Sequence, residues 1–216
     1  MKPTIRKFLV TGLIILAAAV LLLVPIRTVD VTSQADRHFQ LDVAMPRVRK
    51  ILVRSNAVKK IVAMADATLL DQQWQNMAFE SAGPLLKGDW HVTGEGRLSI
   101  DVNDDYLGKQ SIKLNQSVDI KPDRLISTNK LIEPSKSIRE YSSSLRLTPG
   151  VDGNAEFDLS LKIRVRTTAG LITRGIVQRE IEAAAAKSLN QQETVIRELV
   201  AQQRNKLLII PNFGRE

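Results

Sequence analysis

The residue types that bind metals are scarce in this chain of 216 residues. It has no cysteine and only two histidines, His38 and His91, so a zinc site would need an unusual set of carboxylate ligands. The segment Asp101–Asp105 has the alternating acidic and amide residues that open a calcium-binding loop. However, Tyr106 stands where such a loop needs glycine. We therefore predict a solvated hairpin tip there and no metal site.

Motifs of nucleophilic catalysis and phosphate binding are also missing. No G-x-S-x-G sequence is present, and Gly94-Glu95-Gly96 lacks the third glycine and the following helix of a phosphate-binding loop. His91 lies beside Trp90 and could line a cavity, but a hydrogen-bonded or exposed histidine on a strand is the favoured interpretation. We therefore assign no catalytic residue and predict no cofactor.

Alternating hydrophobicity dominates the middle of the chain and predicts an antiparallel meander with one solvated face. Turns rich in proline, glycine, asparagine and aspartate separate its strands. Residues 67–80 are ambiguous, because glutamine and asparagine interrupt their apolar residues, and residues 89–102 fit either a hairpin or one bulged strand. The remaining expected strands cover residues 38–45, 112–120, 124–132, 137–147 and 155–167.

Helical spacing predicts two short helices after the first strand, over residues 46–53 and around 58–62. A long helix is expected from Leu171 to about Arg204, since this stretch has no proline and contains four consecutive alanines. Its length exceeds what a small sheet covers, so we expect one end to project. The predicted buried stripe comprises Ile181, Ala185, Ser188, Gln192, Val195 and Leu199, flanked by Ala184, Ile196 and Val200.

An uncharged run of nineteen residues, Phe8–Ile26, follows the basic residues Lys2, Arg6 and Lys7. As a helix it spans roughly 28 Å, close to the apolar thickness of a bilayer. We predict a single-pass membrane anchor. The basic residues before it predict a cytoplasmic N-terminus, with the main domain in the periplasm or outside the cell.

Two other interpretations of this run stay open. One is a cleavable secretory signal with Ser33-Gln34-Ala35 as the cleavage site, and the other is a buried helix of the core. The anchor is favoured because a helix of a soluble domain rarely lacks a polar side over such a length. The expected organisation is residues 1–27 as cytoplasmic start and anchor, 28–204 as one α+β domain, and 205–216 as an apolar tail.

The charge of the chain gives little support to nucleic-acid binding. The formal net charge is +8, but four of the 31 basic residues precede residue 28, where there is no acid. The remaining 27 basic and 23 acidic residues leave +4, and only nine aromatic residues are available for stacking on bases. The basic residues Arg47, Arg49, Lys50 and Arg54 are expected on a solvated helix face.

The order of strand, two short helices, antiparallel meander and long terminal helix resembles the START-like superfamily. That superfamily includes polyketide-cyclase-like proteins and lipid-binding START domains. The resemblance is carried by residues 38–62 (HFQLDVAMPRVRKILVRSNAVKKIV) and 170–199 (GLITRGIVQREIEAAAAKSLNQQETVIREL). It covers residues 36–204 and rests on order and pattern; the glutamine-rich stretch around Trp74 and the membrane segment depart from the common form. It implies an α+β helix-grip fold, in which a curved antiparallel sheet packs on the C-terminal helix.

A helix-grip fold implies that an apolar cavity can lie between sheet and helix. The same aliphatic side chains also serve as simple core, and both roles stay open at this point. The candidates for lining such a cavity are Trp90, Ile112, Leu114, Leu159, Leu161 and Ile163.

We therefore expect a membrane-tethered envelope protein that binds a lipid or another apolar ligand between sheet and helix. The alternative is a non-catalytic structural or assembly protein that binds a protein partner through its C-terminal helix and tail. An enzyme of the cyclase or hydratase kind comes third, because it needs a buried carboxylate or His91 facing a closed cavity.

Overall fold

The computed structural model describes residues 27–54, 57–64, 67–81, 90–104, 108–169 and 174–205. In these residues a first strand leads into two short helices, six further strands and one long helix. The elements are β1 (Arg27–Ala44), α1 (Met45–Arg54), α2 (Ala57–Met64), β2 (Ala67–Ser81), β3 (Trp90–Asp104), β4 (Gly108–Lys121), β5 (Arg124–Leu131), β6 (Ile138–Pro149), β7 (Asn154–Ala169) and α3 (Arg174–Gln203).

All seven strands form one antiparallel curved sheet in the order β1-β7-β6-β5-β4-β3-β2. The first strand therefore pairs with the last, while every other pairing joins neighbours in sequence. The predicted meander and long terminal helix are confirmed, and together they give the α+β helix-grip fold. We call the side of the sheet that faces the helices the inner face.

The first core cluster lies where α1 and α3 cover β1 and β7. Phe39 of β1 stacks on Phe157 of β7, with ring centroids 4.7 Å apart and planes inclined by 6°. Met45 and Val48 of α1 and Ile196 of α3 are fully or almost fully buried against this pair. Inward-facing residues of the alternating strands thus form one side of this core, and the apolar faces of α1 and α3 form the other.

The second core cluster lies on the inner face of β3 and β4, toward the start of β2. Leu98, Ile100, Ile112 and Leu114 form its centre. The α2 side chains Val58 and Val62 pack against it, as do the first apolar residues of β2. The inner face therefore carries two core clusters, and Tyr141 of β6 packs against both.

Helix α3 lies mainly against β1 and β7, and it also covers the free edge of β1. Gln178 Nε2 donates a hydrogen bond of 3.1 Å to the carbonyl oxygen of Thr32, and Arg197 Nη1 donates one of 3.3 Å to that of Gln40. These bonds satisfy backbone carbonyls that an edge strand otherwise leaves to solvent or to another chain.

The buried side of α3 differs in part from the predicted stripe. Its buried residues are Ala185, Leu189, Glu193, Val195, Ile196, Leu199 and Val200. The prediction omitted Leu189 and Glu193 and included Ala184, which is exposed. Glu193 is buried because Arg37 and Arg197 both pair with it. No residue of α3 before Ala185 is buried. The first third of this helix is therefore its more solvated end, and Ile176 there is exposed.

Two ambiguous segments prove to be single strands. Residues 67–81 form the edge strand β2, and residues 90–104 form β3 without a hairpin at Gly94. Irregularities between Leu69 and Asp71 and between Trp74 and Asn76 break the alternation of β2. Bulges of this kind shift side chains from one face to the other, which explains why periodicity alone did not identify the strand.

The expectation for Arg49 was wrong. It was placed on a solvated helix face, but only 8% of it is exposed. Its Nη1 donates hydrogen bonds to the carbonyl oxygens of Lys121 and Pro122. The turn between β4 and β5 therefore binds a guanidinium group that the sequence pattern had placed in solvent.

None of the described helices is both long enough and apolar enough to span a bilayer. The predicted anchor, Phe8–Ile26, lies outside the described residues, as does most of the tail.

Candidate ligand-binding groove

Between the two cores, polar side chains occupy the inner face of the sheet. We call them the polar band, and its members are Gln72, Gln116, Ser127, Asn129 and Ser143. Gln116, Asn129 and Ser143 lie directly opposite one another on β4, β5 and β6. Ser127 lies two residues from Asn129 and so points to the same face. A row of amides and hydroxyls therefore crosses the concave side of the sheet where most folds of this size place aliphatic side chains.

Hydrogen bonds join four members of the polar band in two pairs. Gln72 Nε2 donates to Gln116 Oε1 over 3.0 Å, and Asn129 Nδ2 donates to Ser143 Oγ over 3.2 Å. Asn129 Oδ1 is buried and has no hydrogen-bond partner among the described residues. An unpaired buried carbonyl of this kind is costly, so a donor that reached it would stabilise the protein.

The centre of the inner face stays accessible to water. Val118, Ser127, Asn129 and Ser143 are each only partly buried. All four lie on β4, β5 or β6, which have neighbouring strands on both sides. Water can reach such residues on the helix-facing side only where the helices leave a gap, so we infer a groove between the two cores.

Large apolar side chains line the outer part of this groove. Trp74, Met77 and Phe79, which we call the apolar edge, share the inner face of β2 and are 41%, 58% and 58% exposed. Gly94 and Gly96 of β3 make room for them, since a Cβ atom on Gly94 would lie 2.6 Å from Met77 Sδ and 3.2 Å from the Trp74 ring. The indole and the thioether therefore lie over the buried backbone of Gly94 and Gly96 and form an apolar wall of the groove.

Arg49 closes one end of the groove. Its guanidinium lies 4.6 Å from the centre of the Trp90 ring, a cation–π contact, while it also binds the β4–β5 turn. Burial lowers the pKa of Arg49, and the nearby Asp123 carboxylate partly opposes that effect. Since its hydrogen bonds go to backbone carbonyls, this cation has no carboxylate hydrogen-bonded to it among the described residues.

The inner face of the sheet carries few charges. By strand register, no described side chain on the inner face of β2–β7 is charged. On β1 the exception is Arg37, whose Nε lies 2.6 Å from Glu193 of α3. Burial raises the pKa of Glu193, but hydrogen bonds from Arg37 and Arg197 outweigh burial and hold it below its usual value. The groove is therefore polar at its centre but electrically neutral.

Both histidines lie on the opposite, outer face. His91 Nε2 is 2.7 Å from Asp119 Oδ1, and Arg124 Nη2 is 2.7 Å from the other oxygen of that carboxylate. Burial raises the pKa of Asp119, but the hydrogen bonds from His91 and Arg124 lower it overall. The interpretation of His91 as a hydrogen-bonded strand histidine is confirmed. Within the described part of the chain, no three acidic or histidine side chains group as metal ligands do.

The predicted lining residues fall into three places. Trp90 lies at the groove, under Arg49. Ile112 and Leu114 belong to the second core cluster, Leu159 and Leu161 belong to the first, and Ile163 is partly buried beside the second. The contact of these six residues with a ligand stays a prediction.

Sequence reasoning missed the polar band and the apolar edge. A signal existed in the stretch QQWQNMAF, where three large apolar residues alternate poorly with uncharged polar ones. A second signal was Gln116, the one polar residue on an otherwise apolar strand face, which is almost fully buried.

A separate open concavity of about 420 Å³ lies on the outer side of α3. Its described lining residues are Ala183, Ala186, Lys187, Asn190, Gln191 and Thr194. All six belong to one helix face that points away from the sheet, so this concavity is distinct from the groove.

Comparison with known proteins supports the fold but assigns the chain to no family. No protein-family model and no curated protein sequence matches the chain. Among solved structures, protein SA2116 of unknown function from Staphylococcus aureus aligns with a TM-score of 0.51 and 6% identity, over 82% of this chain and 98% of that one. The Zhui aromatase/cyclase from Streptomyces sp. R1128 aligns with a TM-score of 0.48 and 14% identity, over 81% and 96% of the two chains.

At such low identity, the similarity to SA2116 concerns the shape of the backbone. The Zhui alignment falls below the TM-score at which a common fold is argued. The strand order and the terminal helix agree with the resemblance drawn from the sequence. The chain therefore has an α+β helix-grip fold, and the comparisons assign it no activity.

Proposed function

We propose that the protein is a membrane-tethered component of the cell envelope that holds a lipid or another apolar ligand in the groove. The observation that carries this proposal is the partial exposure of Val118, Ser127, Asn129 and Ser143 on the helix-facing side of a seven-stranded sheet. A domain without a ligand would gain by closing this space with apolar side chains.

The apolar edge supports an apolar ligand in particular. Trp74, Met77 and Phe79 expose more than a third of their surface on the inner side of β2. Exposed apolar side chains grouped on one surface commonly mark a binding site. A thioether and two aromatic rings also adapt well to a flexible acyl chain.

The tether rests on the sequence and on where β1 begins. The apolar run Phe8–Ile26 ends one residue before Arg27, the first residue of β1. Cleavage after Ala35 would remove half of β1, including Ser33, which is buried and pairs with Ile163 of β7. This pairing favours retention of the N-terminal segment over its removal as a signal.

The ligand is tested by purifying the full chain from membranes and analysing extracted lipids by mass spectrometry. We expect near-stoichiometric recovery of one lipid class. Ser127→Phe should fill the groove and lower the recovered amount several-fold. The matched Ser117→Phe places the same ring on the outer face and should leave it unchanged. Equal recovery from both variants, or none from the native chain, would contradict the proposal.

The tether and its orientation are tested with cysteine labelling, because the natural chain has no cysteine. Ser111→Cys places a single thiol on an exposed position of β4. A membrane-impermeant maleimide should label it in intact cells after the outer membrane is made permeable. A chain recovered in the cytosolic fraction, or labelled only after lysis, would contradict the proposed location.

A second candidate function is that of an assembly protein acting through α3 and the tail. The first third of α3 favours it, because none of its residues is buried and Ile176 is 59% exposed. Deletion of residues 205–216 together with Ile176→Ser should then abolish co-purification of a protein partner. Unchanged co-purification would remove this alternative.

A further inference from the structure

The groove has a defined polar contact point at Asn129, and this point specifies the ligand more closely than shape does. Asn129 Nδ2 is occupied by Ser143, while its Oδ1 is buried and unpaired among the described residues. The oxygen and nitrogen atoms of an asparagine side chain are told apart only by their hydrogen-bond partners. If the Asn129 amide were flipped, its NH₂ group would be the unpaired one instead. A hydroxyl group satisfies either orientation, because it both donates and accepts.

The electrical neutrality of the groove sets the second condition. The inner face of β2–β7 offers no described charged side chain, and the charges at its margins are already engaged. Glu193 is bound by Arg37 and Arg197, and Arg49 is bound by two backbone carbonyls. A carboxylate or phosphate placed at Asn129 would therefore lose its hydration without gaining a counter-ion, which is strongly unfavourable.

Strand register sets the third condition, the length of the ligand. Asn129, Gln116, Gly96 and Trp74 lie side by side on β5, β4, β3 and β2. Three strand spacings separate the first from the last, roughly 14 Å, which is about the reach of a chain of a dozen carbons. The Trp74 ring lies over the buried Gly96, with its Cε3 atom 3.1 Å from where a Cβ atom of that residue would stand, so an alkyl chain along this row meets the indole.

We propose that the groove binds an uncharged amphiphile whose hydroxyl group bonds to Asn129 and whose alkyl chain runs toward the apolar edge and contacts the Trp74 indole. This inference rests on the proposed function and adds the chemical class of the ligand, its orientation and the residue that selects it. Charged fatty acids and phospholipid headgroups are excluded from the polar band, and hydroxyl-free hydrocarbons bind less tightly because they leave Asn129 unpaired.

The two tryptophans make this placement measurable. Trp74 and Trp90 are the only tryptophans of the chain, and both lie on the inner face at β2 and β3. A bromine atom at the end of an alkyl chain quenches indole emission on contact. Three probes of equal length are used with the full chain held in amphipol: ω-bromododecanol, its methyl ether, and ω-bromododecanoate in its ionised form.

The alcohol should quench tryptophan emission with an apparent Kd about tenfold lower than that of the ether, since one hydrogen bond to a buried amide is at stake. The carboxylate should bind most weakly. Asn129→Leu should remove the advantage of the alcohol while leaving the affinity for the ether within about twofold. Asn115→Leu makes the same exchange on the outer face of β4 and should keep the native preference. Should Asn129→Leu fail to fold, Asn129→Ser removes the unpaired amide with a smaller change of volume.

Three results would overturn the inference, and they are distinguishable. Equal binding of alcohol and ether by native protein, unaffected by Asn129→Leu, would refute the hydroxyl contact while leaving apolar binding intact. No quenching by any probe would refute the proposed function itself. A preference for the carboxylate would refute the neutrality argument.

Discussion

The two ends of the inner face show how one sheet can serve two purposes. Over β1 and β7, aromatic and aliphatic residues meet α1 and α3, and Phe157 is completely buried. Across the middle, the corresponding positions hold glutamine, asparagine, serine and glycine, and water reaches Ser127, Asn129 and Ser143 among them. Composition therefore maintains the groove: polar inner-face residues cannot be covered by an apolar helix without losing their hydration.

The largest expected contrast lies between two phenylalanines. Phe157→Ala removes the fully buried ring stacked on Phe39 and should lower the free energy of unfolding by about 3–5 kcal/mol. Phe79→Ala removes a ring that is 58% exposed and should cost less than about 1 kcal/mol. Urea unfolding of both full-length variants measures the difference. Similar losses at the two sites would mean that the apolar edge is part of a core.

A smaller effect is expected at Gly96, which lies beneath Trp74. A Cβ atom on Gly96 would lie 2.6 Å from the carbonyl oxygen of Gln73, so Gly96→Ala must displace backbone of β2. We expect amide exchange in β2 to accelerate about tenfold while exchange in β7 stays unchanged. Gly175→Ala is the control, because nothing lies within 4 Å of its new Cβ. Exchange that rises across the whole sheet would show that the two ends are not independent.

The ion pairs of Glu193 with Arg37 and Arg197 make the stability of the region where α3 covers β1 depend on pH. Because its folded-state pKa lies below the ordinary value of 4.5, Glu193 stabilises the fold above that pH and loses this contribution as pH falls further. Glu193→Gln should cost about 1–2 kcal/mol at neutral pH and flatten the acid limb of the stability curve. Glu198→Gln, on an exposed position of α3, should change neither. An unaltered acid limb in Glu193→Gln would contradict this assignment.

The smallest effect concerns His38 on the outer face. Its hydrogen bond to Asp158 raises its pKa, desolvation lowers it, and the carboxylates of Asp158 and Glu156 raise it further, with a net increase. Its stabilising contribution is therefore complete below pH 6.5 and disappears as pH rises through the folded-state pKa. NMR titration of the imidazole should show a pKa above 6.5 that falls in Asp158→Asn. Ligand binding in the groove should not move this pKa, since His38 faces away from it.

The regular parts of the fold could be predicted from the sequence, because β7 alternates cleanly, β4 does so except at Gln116, and α3 has an uninterrupted helical composition. Strand β2 could not be predicted firmly. The extra residues Leu70 and Gln75 at its two irregularities put apolar side chains out of phase with a period of two.

The groove was harder to predict because its components are distant in sequence. Gln72 and Gln116 form one hydrogen bond across 44 positions, and Arg37 reaches Glu193 across 156. Each residue alone has an ordinary solvent-exposed interpretation. Only strand register brings the polar band together, and only the positions of α1 and α3 show that Arg49 is buried and that the band is left uncovered.

The central claim, an accessible groove that an apolar ligand fills, is tested most directly by thiol protection. In the full chain, Ser127→Cys places one thiol inside the groove and Ser117→Cys places one on the outer face, both at partly buried positions. After bound lipid is stripped, both should react with maleimide. Added ω-bromododecanol should slow the reaction of Ser127→Cys at least about tenfold and leave Ser117→Cys unchanged. A Ser127→Cys thiol that is unreactive in the stripped protein, or that reacts equally fast with the probe present, would contradict the account.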